Sequence, residues 1–154
     1  MSGEANTALV RRFLEDLVST GDPALAAELL APDYVVHYAG NPPLDRDGFR
    51  QFLGALRAAF PDVRVTVEDA IAQGDQVAAR WTWRGIYRGA FLGLAPTGKA
   101  VTGSGIGLFR LAHGQLVEDF VQEDTLGLLQ QLGAVPPPGP PTGSSGAGEP
   151  AGAT

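Results

Sequence analysis

A change of hydrophobic period near residue 62 constrains this chain more than any other feature. Before it, apolar residues recur at helical spacing, first as Leu9, Val10, Phe13, Leu14, Leu17 and Val18, later as Phe49, Phe52, Leu53, Leu56 and Phe60. After it they alternate, with Val63, Val65 and Val67 set against Arg64, Thr66 and Glu68. Helices followed by an antiparallel meander predict an α+β fold. Asn6 or Thr7 is placed to cap the first helix and Gly21 to stop it. Asp22-Pro23 reads as an N-cap followed by an N1 proline, opening a short helix with Leu25, Ala26, Leu29 and Leu30. Tyr34 to Tyr38 reads as a brief strand. Asp45 or Asp47 caps a third helix, which Pro61-Asp62 ends. Turns at Gly74-Asp75 and His113-Gly114 separate strands over Gln76–Gly85, Ala100–Leu111 and Leu116–Glu123. Leu126 to Leu132 adds a last helical turn, stopped by Gly133. Three helices wrapped on a strongly curved sheet leave a cavity at its open end.

The 154 residues suit one domain, expected over residues 1–133. Residues 134–154 hold half of the 12 prolines and no aromatic residue. Such a Pro/Gly/Ser-rich stretch cannot bury enough surface to offset its ordering entropy, so a disordered tail is expected. The absence of cysteine excludes disulfides, thiolate metal sites and a cysteine nucleophile. A formal charge of −6 with no Lys/Arg cluster argues against nucleic acid. No leader-like pattern opens the chain, and no apolar run approaches the roughly 20 residues that span a bilayer. A cytoplasmic protein with no membrane partner is the expectation. The two histidines, His37 and His113, lie far apart and do not suggest a metal site. Gly103, Gly105 and Gly107 fall inside a strand and do not form a phosphate loop.

Strand parity names the residues that face the cavity. Val77, Ala79, Trp81 and Trp83 share one face with Gly103, Gly105, Gly107, Phe109 and Leu111, and with Val117, Asp119 and Val121. Glycines opposite large aromatics read as a shaped pocket or as points where the sheet bends. The other face carries Arg80, Arg84, Arg110 and Glu118 amid Ile106, Leu108 and Phe120, with Leu116 and Gln122, a mixture that suits a homodimer interface. Asp119 beside indole rings would be desolvated and its pKa raised, as general acid–base work requires. A β-bulge would shift that parity. Glu118 is a catalytic candidate or an ion-pair partner of Arg80 and Arg110. Asp124 is a catalytic candidate or the cap of the final helical turn. His37 is the natural proton shuttle or a hydrogen-bonded structural residue. His113 reads as surface. Tyr34, Tyr38 and Tyr87 could orient a carbonyl or hydroxyl, or simply pack.

Several segments resemble the SnoaL-like polyketide cyclases and ester cyclases of the nuclear-transport-factor-two-like superfamily. They are Ala59-Phe60-Pro61-Asp62, Gly74 to Arg80, Phe109-Arg110, Gly114 to Glu118, Asp124, and Gln130-Gln131-Leu132-Gly133. The most specific is G-x-F-x-G-x-x-P-T-G-K over Gly89 to Lys99. The resemblance implies a cone of three helices on a curved, mostly antiparallel sheet, usually dimeric. It implies acid–base closure of a ring in a small apolar, polyketide-derived molecule, with no metal or organic cofactor, as in antibiotic biosynthesis. Superfamily relatives isomerise ketosteroids, dehydrate scytalone or open epoxides, and fold alone does not choose. Two departures stand out. Gly85-Ile86-Tyr87 replaces the common Gly-Thr-His, and Val121 falls where aldol cyclases carry their catalytic aspartate. Aldol or oxygen-heterocycle closure is expected, with proton transfer shared by His37 and Asp119 and with Tyr87 as hydrogen-bond donor. Tyr34, Phe52, Trp81, Trp83, Phe109 and Val121 are expected to bind substrate. An epoxide-opening hydrolase or isomerase, or a non-catalytic binding protein, is the alternative.

Overall fold

The computed structural model of the chain describes residues 2–137 and 139–140. The expected tail, 134–154, therefore lies largely outside the described residues. Among the described residues, four helices pack on one six-stranded curved sheet. The first helix, α1, spans residues 3–20: an α-helical stretch Gly3–Arg11, a wider π-helical stretch Arg12–Leu17, and a last turn Val18–Thr20. Ser2, rather than Asn6 or Thr7, caps it by accepting from the Ala5 N–H. Asn6 is instead buried, and its Nδ2 donates to the Gly74 carbonyl. Gly21 ends the helix at φ 67°, where a left-handed residue is needed. Asp22 then caps α2 (Pro23–Leu29), with Pro23 in its first turn. Strand β1 (Leu30–Tyr38) starts four residues earlier than the sequence suggested, and β2 (Leu44–Asp45) adds a short edge. Asp45 caps α3 (Arg46–Ala59) through the Gly48 N–H at 2.8 Å.

The long strands follow as β3 (Arg64–Gln73), β4 (Gln76–Ile86), β5 (Ala100–Ala112) and β6 (Gln115–Glu123), before α4 (Thr125–Gln131). Their order in the sheet is β2-β1-β6-β5-β4-β3, and β1 runs parallel to β6 while the other pairs are antiparallel. That parallel pairing matters for the site: it sets Val36 beside Asp119 and Tyr38 beside Val121.

A bulge corrects part of the sequence reading. The β5–β6 register shifts between Arg110↔Glu118 and Leu111↔Leu116, leaving Val117 as the extra residue. Leu116 thereby turns inward and is buried, whereas parity had placed it outside with Glu118. The bulge lies before Asp119, so the inward setting of Asp119 and Val121 is unaffected.

Two apolar clusters result. One joins α1, α2, α3 and the sheet around Phe13, Tyr34, Phe49, Trp81 and Phe109. The other gathers Phe60, Val63, Tyr87, Phe91, Val101 and Leu132. The glycines of β5 serve the indoles. Trp81 pairs with Gly105 and Trp83 with Gly103, and each ring lies over its glycine. A Cβ at position 105 would stand 2.6 Å from the Trp81 ring and 2.9 Å from the Glu123 carboxyl carbon. Gly105→Ala is accordingly expected to cost about 1–3 kcal/mol through overpacking. Gly54→Ala, on an open face of α3, is expected to gain about 0.5–1 kcal/mol. Paired denaturant titrations check both, and equal effects at the two positions would contradict this account of β5.

Candidate functional site

Between α1, α3 and the concave face of the sheet lies a cavity of about 530 Å³. Its wall is mostly apolar and includes five of the six residues expected to bind substrate, Phe52, Trp81, Trp83, Phe109 and Val121, with Phe13 and Phe49 from the helices; the sixth, Tyr34, is fully buried and is not part of the lining. The π-helical stretch of α1 supplies Phe13 and Leu14 to this wall. A widened helical turn re-aims the side chains it carries, and such turns recur at functional sites.

Asp119 is the fully buried acid of this wall. Its cross-strand neighbour is Phe109. The Tyr34 hydroxyl donates to its Oδ2 at 2.6 Å, and Tyr34 is itself wedged edge-on against Phe49 with ring centroids 5.7 Å apart. Among the described residues, Asp119 Oδ1 is the only fully buried side-chain nitrogen or oxygen without a partner. Burial pushes the carboxyl up to about 8; the Tyr34 hydrogen bond opposes this and the Glu118 charge adds to it. The elevation expected from the sequence is present, but its neighbours are Tyr34 and Phe109 rather than the indoles.

The indoles hold a second acid that parity reasoning passed over. Trp81 Nε1 donates to Glu123 Oε1 at 3.2 Å, and Glu123 lines the cavity. Burial raises this carboxyl to about 7, against the Trp81 hydrogen bond and helped by the Asp124 charge. The alternation that selects Asp119 and Val121 selects Glu123 next, so the signal was in the sequence. Tyr38, beside Val121, also lines the cavity and leans on Phe52 at 5.2 Å. Burial, then the charges of Glu123 and Asp119, raise its hydroxyl pKa.

Other candidates are not brought to this wall. His37 sits on the outer face, stacked on Phe120 at 4.4 Å, with Nε2 3.0 Å from Glu118 Oε2. His37 is not part of the cavity lining, so the expected proton shuttle is not brought to the cavity. Glu118 bridges His37 and Arg110, while Arg80 pairs with Asp69. Tyr87 is buried in the second cluster. Its hydroxyl donates to the Leu94 carbonyl at 2.6 Å and accepts from the Phe91 N–H at 3.2 Å. It thus clamps the loop that carries Phe91 and Leu92 to the cavity, rather than offering a free donor. Asp124, the exception, is an exposed residue that caps α4 through the Gly127 N–H at 2.9 Å and also lines the cavity. Among the described residues no cluster of His, Asp and Glu could hold a metal ion, and no helix is long and apolar enough to cross a membrane.

Both raised carboxyls keep their protons when folded at pH values where the unfolded chain has lost them. Their contribution to stability is complete below the ordinary values of 3.8 and 4.5, and it is lost as pH rises through about 7 and about 8. Thermal unfolding is therefore expected to show Tm falling from pH 5 to 9, with a flatter profile in Asp119→Asn. Identical profiles would contradict the assignment.

The comparisons with known proteins agree with this architecture. The SnoaL-like polyketide cyclase family matches residues 8–132. IdmH of Streptomyces antibioticus, proposed to be a polyketide cyclase, is similar at 31% identity over 83% of this chain and 98% of its own, with a TM-score of 0.73. AclR of Streptomyces galilaeus, proposed to be a hydroxylase, shares 25% identity over 90% of this chain and 87% of its own, with a TM-score of 0.80. TsrD of Streptomyces laurentii shares 26% over 88% and 99%, with a TM-score of 0.78. No curated protein matches the sequence. With its cavity, its curved sheet and this match over most of its length, the chain belongs to the SnoaL-like polyketide cyclase family, with the nuclear-transport-factor-two-like fold.

Proposed function

We propose that the protein is a cofactor-free acid–base cyclase that closes a ring in a polyketide-like small molecule, with Asp119 as the residue that carries the proton. One observation supports this above the others: the unpartnered Oδ1 of Asp119 in the wall of an apolar cavity. Oδ2 already accepts from Tyr34, so the proton of the neutral acid belongs on Oδ1. A buried donor without an acceptor costs about 1–3 kcal/mol, and a ligand oxygen would remove that cost. As the ring closes, by carbon–carbon or carbon–oxygen bond formation, the acceptor carbonyl gains negative charge. An acid aimed at that oxygen stabilises the developing charge and delivers its proton, and the proton released by the attacking carbon or hydroxyl returns to the Asp119 carboxylate, so the cycle closes with no net proton change. Val121, beside it on the same face, cannot do so.

The test is turnover of an uncyclised polyketide ester in chelator-containing buffer without nucleotide. Asp119→Asn, which keeps the shape and offers N–H donors but no transferable proton, is expected to lower kcat by about 10²–10⁴-fold with the fold intact by circular dichroism. Undiminished turnover would remove Asp119 from the chemistry. Binding without turnover by the unmodified protein would leave a binding protein instead.

The proposal extends to a homodimer through the outer sheet face. Ile106, Leu108 and Phe120 are 53%, 39% and 51% exposed there, beside the Arg110–Glu118–His37 cluster. Large exposed apolar side chains ringed by charge suit an interface core and rim. Leu108→Asp with Phe120→Asp is expected to sediment as a monomer, and an unchanged sedimentation coefficient would argue against this face.

A further inference from the structure

Three polar residues of the cavity wall, Asp119, Tyr38 and Glu123, lie along one seam of the sheet, while Asn41, Asp124 and Thr125 join the lining from the loops and the start of α4. Tyr38 pairs with Val121 in parallel register, so it stands between Asp119 and Glu123 along β6. From Asp119 to Glu123 is four residues of strand, roughly 13 Å of rise, too far for the two acids to share a proton. Burial, then the two neighbouring carboxyls, raises the Tyr38 hydroxyl pKa and keeps it a hydrogen-bond donor. That hydroxyl lies at the cavity wall with no hydrogen-bond partner among the described residues. Glu123 is fixed at the far end by Trp81 Nε1, in space that exists because position 105 has no side chain. The rest of the lining is dominated by Phe13, Phe49, Phe52, Leu53, Trp83 and Phe109, none of which can satisfy an oxygen except through the Trp83 N–H.

We propose that Glu123 and Tyr38 form a second polar anchor, which takes an oxygen function of the ligand remote from the one held by Asp119. The ligand class that fits is an elongated, flat ring system oxygenated towards both ends. Its apolar body lies against the indoles and phenyl rings, and its two oxygens fall on the seam. A hydrocarbon, or a ring system oxygenated at one end, would leave one end of the seam unpaired inside an apolar wall, which is unfavourable. The inference rests on the reading of Asp119 as ligand-facing and deepens it by naming what lies at the other end.

Fluorescence titration of the full chain at pH 6 tests this with two probes, 4-phenylphenol and 4,4′-dihydroxybiphenyl, through quenching of Trp81 and Trp83. The diphenol is expected to bind about tenfold tighter, the worth of one added hydrogen bond. Tyr38→Phe and Glu123→Leu should each erase that advantage while leaving monophenol affinity within about threefold of the unmodified protein. Equal binding of the two probes, or an advantage that survives both substitutions, would overturn the second anchor. If Glu123→Leu does not fold, Tyr38→Phe decides, because it removes one oxygen and keeps the ring. Asp119→Asn separates the two readings. Weaker binding of both phenols there, with no effect at 38 or 123, keeps Asp119 and overturns the anchor. No effect at 119 overturns both.

Discussion

A carboxyl group held in an apolar wall by a single protein partner is unstable unless something else completes its hydrogen bonding. Asp119 is held in that way: Tyr34 satisfies Oδ2, and nothing among the described residues satisfies Oδ1. The arrangement is maintained by rigid surroundings. Tyr34 is pinned by Phe13 and Phe49, and Phe109 covers the strand opposite. The fold thus keeps in place a group that it would otherwise expel to water or bury beside a second partner. Retaining such a cost at one point is what a site for a ligand requires.

The cavity exists because the sheet provides room in which the indoles can turn aside. Over β5, Gly103 and Gly105 let Trp83 and Trp81 lie flat against backbone, where ordinary side chains would have pushed them into the hollow. These glycines, which read in the sequence as a shaped pocket or as points where the sheet bends, are approached closely by two indoles that line the cavity. The same gap admits the Glu123 carboxyl to Trp81 Nε1. The Tyr87 hydroxyl ties down the loop bearing Phe91 and Leu92, so the segment that most resembled the family in sequence contributes to the cavity wall.

What could be read from the sequence followed from local rules. The switch of hydrophobic period, the Gly21 stop, the Asp22-Pro23 cap and the Gly74-Asp75 turn each depend on a few adjacent residues, and each appears where expected. Parity along β4 placed Trp81 and Trp83 correctly for the same reason. What escaped depends on partners distant in sequence. The Tyr34–Asp119 pair joins residues 85 apart, and the His37–Glu118 pair joins residues 81 apart. Both follow from the parallel β1–β6 pairing, which no local pattern announces. The bulge at Val117 reversed the face of Leu116 because an extra residue is invisible to a period of two. Glu123 is different: alternation was sufficient to find it, and its place at the strand's end hid it.

The central claim is that Asp119 carries its proton at neutral pH inside the ligand-free cavity. Carboxyl carbon NMR of the full chain, with the Asp119 resonance assigned through Asp119→Asn, measures this directly. The account predicts a titration midpoint at about 8. A midpoint near the ordinary aspartate value of 3.8 would show an ionised, solvated group and contradict it.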